Sequence, residues 1–323
     1  MSIWLLDESL TLQLIDMKFC LICSDQFDTR SWACPTCGFI PSQIDGYFAL
    51  APALAKENSH YTPEAYPELA ALEAKNFWFR GRNQLIIWAL KKYFPQADRL
   101  LEIGCGTGFV LSGIAEAFPE SKLTGTDIFC AGLAYAARRV PGAELYQMDA
   151  RCIPYRDEFD VIGAFDVLEH IEEDGTVLRE IFAALRPGGG IAVTVPQHPW
   201  LWSKQDEHAC HVRRYRTGEL REKVLRAGFQ VVFETSFVSF LLPAMFVSRL
   251  FMYRKNEVSE NPPRRGIMFQ RDQCSNVNPT DELRLPTMIN TAFETVMNVE
   301  RRIIRLGIRP PWGGSRLLIA RRL

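Results

Sequence analysis

Residues 100–108 decide the fold, and they read Leu100-Leu101-Glu102-Ile103-Gly104-Cys105-Gly106-Thr107-Gly108. The apolar residues before the glycines predict the end of a buried parallel strand, and the apolar residues 109–111 after them predict the start of a helix. Glycines at such a junction let the backbone pass close to a ligand. The carboxylate of Glu102 should face a cationic or amine-bearing ligand, because a pyrophosphate binds at a helix N-terminus, where further negative charge is unfavourable.

The sequence around this glycine turn alternates between strand and helix patterns. Strands are predicted at 99–103, 122–127, 144–148, 159–164, 191–195, 229–235 and 316–320, and helices at 108–117, 130–138, 174–185 and 217–227. Such alternation predicts an α/β fold with a doubly wound, mostly parallel, seven-stranded sheet. The ligand of such a sheet binds beyond the carboxyl ends of the strands, at the point where the strand order reverses.

The chain divides into six predicted segments. They are an N-terminal extension (1–18), a zinc ribbon (19–45), a linker with N-terminal helices (46–97), the ligand-binding core (98–235), a helical cap insertion before the last strand (236–312) and the final core strand (313–323). Within them, helices are predicted at about 68–79, 83–93 and 286–306, and a polar loop at about 255–280. A loop as long as the insertion often covers a site or holds a partner.

Four cysteines form two Cys-x-x-Cys pairs, Cys20 with Cys23 and Cys34 with Cys37. This doubled spacing is typical of a tetrahedral zinc site, and four thiolates leave no open position, so the zinc is predicted to be structural. Nine cysteines without a recognisable secretion signal favour a reducing, cytoplasmic location.

The net charge of −1 gives no argument for nucleic-acid binding. Basic residues nevertheless gather from Arg249 onward. A solvated surface is the simplest interpretation, and contact with an anionic substrate or a lipid surface is the alternative.

Five elements in order resemble the class I S-adenosylmethionine-dependent methyltransferases, over about residues 98–235 and the last strand. They are Glu102-x-Gly104-x-Gly106-x-Gly108, Gly125-Thr126-Asp127-Ile128, Gln147-Met148-Asp149-Ala150, Phe165-Asp166-Val167-Leu168-Glu169-His170 and Leu185-Arg186-Pro187-Gly188-Gly189-Gly190.

The resemblance implies S-adenosylmethionine as cofactor and gives the matching residues roles. Asp127 would bind the ribose hydroxyls, Asp149 would contact the adenine amino group, and the segment after the fourth strand would lie along the methionine end. The cofactor-binding residues so expected are Glu102, Gly104, Cys105, Gly106, Gly108, Asp127, Ile128, Asp149, Ala150, Phe165, Asp166 and His170.

Within this superfamily the chain is most similar to bacterial enzymes of small molecules, lipids or glycans, including the ubiquinone-pathway O-methyltransferase type. The similarity rests on Phe77-Trp78-Phe79-Arg80-x-Arg82 and on residues 198–203. We therefore expect a small aromatic, apolar or lipid-linked acceptor, methylated on oxygen, nitrogen or carbon. The zinc ribbon resembles that of enzymes that methylate guanine in ribosomal RNA, so RNA is an alternative substrate. A non-catalytic cofactor-binding scaffold is a second alternative.

Acceptor chemistry is expected from residues 197–215, which follow the fifth core strand. This loop carries His198, Asp206, His208 and His211. An imidazole suits the deprotonation of a hydroxyl, so these four are the catalytic candidates. Metal binding through His-x-x-His with a nearby Asp, or a purely structural loop, are the other interpretations.

Two apolar stretches have open roles. The aromatic run 77–79 either packs in the core or shields a sulfonium cation. Segment 236–247 is interpreted as a hydrophobic lid, a dimer surface or a peripheral membrane contact, in that order. The sequence does not predict the oligomeric state.

Overall fold

The computed structural model describes residues 17–27, 31–56, 65–247 and 284–323. The strands are β1 (Lys18–Phe19), β2 (Gln26–Phe27), β3 (Ser42–Ile44), β4 (Tyr47–Ala49), β5 (Arg99–Ile103), β6 (Lys122–Asp127), β7 (Glu144–Gln147), β8 (Phe159–Phe165), β9 (Leu185–Pro196), β10 (Gln230–Phe237) and β11 (Ser315–Arg321). The helices are α1 (Ala65–Glu73), α2 (Phe77–Tyr93), α3 (Phe109–Ala117), α4 (Cys130–Arg139), α5 (Asp174–Ala184), α6 (Lys204–His208), α7 (Glu219–Arg226) and α8 (Thr287–Arg305).

The central sheet has the order β10-β11-β9-β8-β5-β6-β7-β4-β3. Strands β7, β6, β5, β8 and β9 are parallel to one another, whereas β11 is antiparallel to both β9 and β10. From β5 the chain moves outward through β6 and β7 and then returns to β8 on the other side of β5. The strand order therefore reverses beside β5, and the glycine turn lies at that switch point.

The predicted doubly wound, mostly parallel fold is confirmed. Seven strands form the predicted core, and the hairpin β3–β4 extends it to nine by pairing with β7. The proline- and alanine-rich composition of residues 41–67 favours a linker, but the hairpin β3–β4 occupies the first part of this stretch.

Residues in β5 and its neighbours pack alternately on the two faces of the sheet, as the two-residue period of a strand requires. Leu101 lies in the core with Leu178 of α5 and Val224 of α7. Its neighbour Leu100 lies in the core on the opposite face, with residues of α2, α3 and α8. This burial on both sides holds the switch point rigid.

The helix boundary near residue 76 differs from the prediction of helices at 68–79 and 83–93. Asn76 caps α2, because its side-chain oxygen accepts a hydrogen bond from the Trp78 backbone N–H at 2.8 Å. The aromatic run 77–79 therefore begins a helix rather than ending one. Pro67 lies in the first turn of α1, where proline is tolerated.

The insertion begins in the core, with Phe237 and Val238 buried, and its C-terminal part packs against α2. Helix α8 contacts α2, and the Asn290 side chain accepts a hydrogen bond from the Phe77 N–H at 2.8 Å. The predicted polar loop 255–280 lies outside the described residues, as do residues 1–16. Within the described part of the chain, no helix is both long and apolar enough to cross a membrane.

Candidate functional site

The glycine turn after β5 is enclosed on two sides. Gly104 and Gly108 have φ angles of +67° and +74°, in the left-handed region that favours glycine. A Cβ atom at Gly108 would come within 2.7 Å of the Ala136 Cα in α4, and one at Gly104 would collide with the Val167 side chain. The turn therefore brings bare backbone to the place where a ligand of this sheet binds.

Two buried carboxylates flank the turn. The Asp127 carboxylate accepts hydrogen bonds from the N–H groups of Gly106 at 2.8 Å and Phe129 at 3.0 Å, which fix its orientation. Glu102 is buried, and its Oε2 has no hydrogen-bond partner among the described residues. Burial raises the pKa of both carboxyls, and for Glu102 the positive charge of Arg82 opposes that rise.

The ends of β6 and β7 bring the next predicted residues together. The Met148 N–H donates to the Asp127 carbonyl at 2.9 Å, and the Ile128 carbonyl accepts from the Gln147 side chain at 3.1 Å. The Asp149 carboxylate is held by Arg151, through its backbone N–H at 2.9 Å and its Nε at 3.1 Å. Asp127, Ile128, Asp149 and Ala150 thus share one edge of the sheet, beside the glycine turn.

Sequence reasoning missed three residues that fix this region, and the first is Arg82. It forms an ion pair with Asp166, and its guanidinium lies 4.6 Å from the Trp78 ring centroid. The predicted site residues Asp166 and Phe165 are therefore tied to α2. Asp166 has a φ of 58°, uncommon for a residue with a side chain and frequent at functional sites.

The other two missed residues are Glu73 and Arg139. Thr107 of the glycine turn donates to the Glu73 carboxylate at 2.7 Å, and Glu73 also pairs with Arg139 at 2.6 Å. This network fastens the turn to α1 and α4. The two residues lie far from the turn in sequence, so only the folded chain reveals them.

The predicted acceptor loop contains one tightly held pair, Asp206 and His211. The Asp206 side chain is fully buried, and its Oδ1 lies 2.9 Å from the His211 Nδ1 and 2.6 Å from the Arg214 Nε. Burial opposes ionisation of Asp206, but the hydrogen bond with His211 and the charge of Arg214 prevail and lower its pKa to about 2. Asp206 is therefore a fixed anion that orients the His211 ring.

The loop docks on the segment after β8. The Val212 N–H donates to the Glu169 carbonyl at 2.8 Å, and the His211 and His170 rings meet edge to face with centroids 4.8 Å apart. Desolvation and the proximity of His211 lower the pKa of His170 to about 3, so its ring is neutral at physiological pH. Burial raises the pKa of the Glu169 carboxyl to about 8.

The two remaining catalytic candidates, His198 and His208, lie outside the cluster of Glu169, His170 and His211. His198 is buried and stacks on Trp200 at 5.1 Å, and within the described ranges no hydrogen bond connects its ring with Asp206 or His211. His208 ends α6 and is not part of the cluster formed by Glu169, His170 and His211. The catalytic roles predicted for both stay predictions.

The four N-terminal cysteines converge as their spacing predicts. The Sγ atoms of Cys20 and Cys37 are 3.5 Å apart and those of Cys23 and Cys34 are 3.6 Å apart, too long for a disulfide. Four thiolates at about 2.3 Å from one zinc ion would have separations of about 3.8 Å. The donor set and its spacing fit a structural zinc ion.

The aromatic run 77–79 packs within the protein. Phe77 contacts Phe293 of α8 at 5.2 Å between ring centroids, and Phe79 contacts Phe109 of α3 at 6.3 Å. Segment 236–247 meets the acceptor loop, because Phe246 contacts Trp200 at 6.0 Å.

A family model described as a methyltransferase domain matches residues 72–234. The chain belongs to this family. The match extends from the end of α1 into β10 and so contains the glycine turn, the Asp127 edge and the acceptor loop.

Three curated relatives share this methyltransferase domain. A probable S-adenosylmethionine-dependent methyltransferase of Mycolicibacterium smegmatis is 30% identical over 166 residues, which are 50% of this chain and 63% of that protein. A trans-aconitate 2-methyltransferase of Variovorax paradoxus is 35% identical over 105 residues, 32% of this chain and 40% of that protein. A ubiquinone biosynthesis O-methyltransferase of Nitrobacter winogradskyi is 33% identical over 109 residues, again 32% and 40%. The chain spans less than two thirds of the length of each.

Proposed function

We propose that this protein transfers a methyl group from S-adenosylmethionine to a hydroxyl of a small acceptor that is aromatic, apolar or lipid-linked. The observation that carries the proposal is the glycine turn at the switch point, with the oriented Asp127 carboxylate beside it. Membership of the methyltransferase family and the name of the Mycolicibacterium smegmatis relative support the same donor.

The donor would lie along the carboxyl ends of β5, β6 and β7. Asp127 would accept hydrogen bonds from the ribose hydroxyls, and Asp149 would contact the adenine amino group. The backbone of the glycine turn would pass beside the methionyl group, with Asp166 and His170 near its methyl end. The other residues assigned to this site are Glu102, Gly104, Cys105, Gly106, Gly108, Ile128, Ala150 and Phe165.

The acceptor would meet the Asp206–His211 pair. In the protein without a bound metal ion, the His211 Nε2 would act as the base, because Asp206 holds the other ring nitrogen. The acceptor hydroxyl gives its proton to His211, and its oxygen attacks the methyl carbon in line with the departing sulfur. The carbon–sulfur bond breaks with its electrons on sulfur, which leaves S-adenosylhomocysteine and the methyl ether.

Aromatic side chains near the loop support an apolar acceptor. Trp200 and Trp202 are 57% and 39% exposed, and Trp200 contacts Phe246 of segment 236–247. Aromatic side chains commonly line the sites of small apolar molecules. The zinc ion of the ribbon has a structural role in this proposal.

Calorimetric titration with S-adenosylhomocysteine tests the donor site. We expect one binding site in the wild type and at least tenfold weaker binding in Asp127→Ala, because the ribose hydroxyls lose their acceptor. Glu116→Ala is the matched control, since it removes an exposed carboxylate from α3. Wild-type affinity in Asp127→Ala, or no binding by the wild type, would contradict the proposal.

A further inference from the structure

We propose that Glu169, His170 and His211 bind a divalent first-row transition-metal ion. One potential ligand atom from each residue lies within 4.8 Å of the others. The inference rests on the proposed function, because it states how the same site activates the acceptor hydroxyl.

The Glu169 carboxylate supplies the strongest argument. The residue is completely buried, and in the portion of the chain that the structure describes neither of its oxygens has a hydrogen-bond partner. A buried carboxylate without partners is costly, and such groups are generally paired or bound to a metal. Its two oxygens and the two neighbouring imidazoles form a set of ligand atoms that suits a cation.

The nearby arginines do not fill that role. Arg82 and Arg214 both lower the pKa of Glu169 through their charge, so they lie in its vicinity. Arg82 is engaged by Asp166, and the Arg214 Nε donates to Asp206 at 2.6 Å. Each arginine therefore also serves another carboxylate, and among the described residues neither donates a hydrogen bond to Glu169.

His211 is held in the way that metal-binding histidines usually are. The His211 Nδ1 is hydrogen-bonded to Asp206 at 2.9 Å, and the backbone of Ala209 and Cys210 near the His170 ring favours its protonated form and partly opposes the fall in its pKa. A hydrogen bond such as that of His211 fixes the ring and leaves its second nitrogen to face the ion. On the His211 side, the hydrogen bond with Asp206 would thus orient the imidazole before the metal binds.

Metal binding requires a contraction of the cluster. Ligand atoms at about 2.1 Å from one tetrahedral ion are about 3.4 Å apart. The ligand atoms of the three residues lie within 4.8 Å of one another, so the widest pair would approach by about 1 Å or somewhat more. His170 and His211 keep partial solvent access, which gives the ion a path of entry. Two imidazoles and one carboxylate suit zinc, manganese or iron, and three protein ligands leave open positions.

The acceptor hydroxyl would take one open position. A metal ion lowers the pKa of a bound oxygen, so the O–H bond breaks near neutral pH and the proton leaves to solvent. The oxygen then attacks the methyl carbon, and the carbon–sulfur electrons go to sulfur as before. In the metal-loaded protein His211 is therefore a ligand and not the base.

Manganese binding separates this site from the ribbon, because thiolates select zinc whereas carboxylate and imidazole ligands accept manganese. The full-length protein, with zinc supplied during purification, is titrated with Mn²⁺ and the free ion is followed by electron paramagnetic resonance. We expect one bound Mn²⁺ in the wild type and at least tenfold weaker binding in Glu169→Gln and His211→Ala. Glu172→Gln is the matched control, because Glu172 is an exposed neighbour outside the cluster.

Thermal unfolding provides a second measurement. A metal that binds the native state raises the melting temperature. Mn²⁺ should therefore stabilise the wild type and Glu172→Gln but not Glu169→Gln. Absence of Mn²⁺ binding in the wild type, or equal binding in Glu169→Gln, would overturn the inference.

Titration with S-adenosylhomocysteine distinguishes the two proposals. If the wild type and Glu169→Gln bind S-adenosylhomocysteine but neither binds Mn²⁺, the metal inference fails and the proposed function stands. If the wild type does not bind S-adenosylhomocysteine, the proposed function fails whatever the metal result.

Discussion

The two halves of the site are built differently. At the donor half, beside β5, β6 and β7, the ligand-facing groups are backbone and carboxylates held by backbone N–H groups, such as Asp127. At the acceptor half, between the segment after β8 and the loop 197–215, side chains hold one another, as Asp206 holds His211 and Arg214. The donor half thus uses a geometry that the fold supplies, whereas the acceptor half depends on contacts between side chains.

Arg82 connects the halves, and its removal should have the largest effect. It pairs with Asp166, and its charge favours ionisation of the buried Glu102 and Glu169. Arg82→Met leaves these carboxylates uncompensated, so we expect a loss of about 3–5 kcal/mol in the free energy of unfolding. Urea denaturation measures it.

Arg80→Met is the matched control for that experiment. Arg80 lies on the same helix and pairs with Glu294, but its side chain is partly exposed. We expect a loss below about 1 kcal/mol for this variant. Equal losses in the two variants would show that Arg82 does not connect the halves.

Asp206→Asn should separate the halves. An acceptor is first identified by screening hydroxyl compounds for methylation by the wild type. In Asp206→Asn, His211 loses the carboxylate that orients it, so the rate of methyl transfer to that acceptor should fall by about 10–100-fold. Affinity for S-adenosylhomocysteine should stay within about twofold, because no donor residue is changed. Glu207→Gln, an exposed neighbour on α6, should leave both quantities unchanged.

Two readouts show whether Asp206 acts through His211. The pH profile of turnover should shift in Asp206→Asn, and the affinity for Mn²⁺ should fall. Loss of donor affinity together with turnover, or an unshifted pH profile, would assign Asp206 a structural role only.

A smaller effect should appear in the pH dependence of donor binding. Burial raises the pKa of Asp127. A raised pKa means that the carboxylate becomes protonated at a higher pH than an ordinary aspartate as the solution is acidified. Affinity for S-adenosylhomocysteine should therefore decrease between pH 7 and pH 5 in the wild type, and less steeply in Asp127→Asn. Calorimetry at both pH values measures this change in affinity. An equal decrease in the wild type and in Asp127→Asn would contradict the prediction.

The donor half could be predicted from sequence because its signals are local. A glycine turn follows one strand, and Asp127 ends the next, so the topology of a parallel sheet places them at one edge. The period of apolar residues gave most strand positions within a few residues. The hairpin β3–β4 was missed because its strands have three residues each, too few for a period to be visible.

The acceptor half was predicted only in part, because its contacts join distant segments. Asp206 and His211 are five residues apart and were both candidates, whereas Arg82 and Asp166 are 84 residues apart. Glu169 lies next to His170 in the motif at residues 165–170, yet only the folded structure shows that its carboxylate is buried without hydrogen-bond partners. The only local sequence signal for this site is an acidic residue next to a histidine just after a predicted strand.

The structure of the protein crystallised with S-adenosylhomocysteine and Mn²⁺ tests the central claim most directly, because it shows whether the two halves meet at one reaction centre. The account predicts the ribose on Asp127, the sulfur atom turned toward His170 and His211, and Mn²⁺ on Glu169, with room for one small acceptor between sulfur and metal. A sulfur atom turned away from this cluster, with the methyl position closed off from it by protein, would contradict the account.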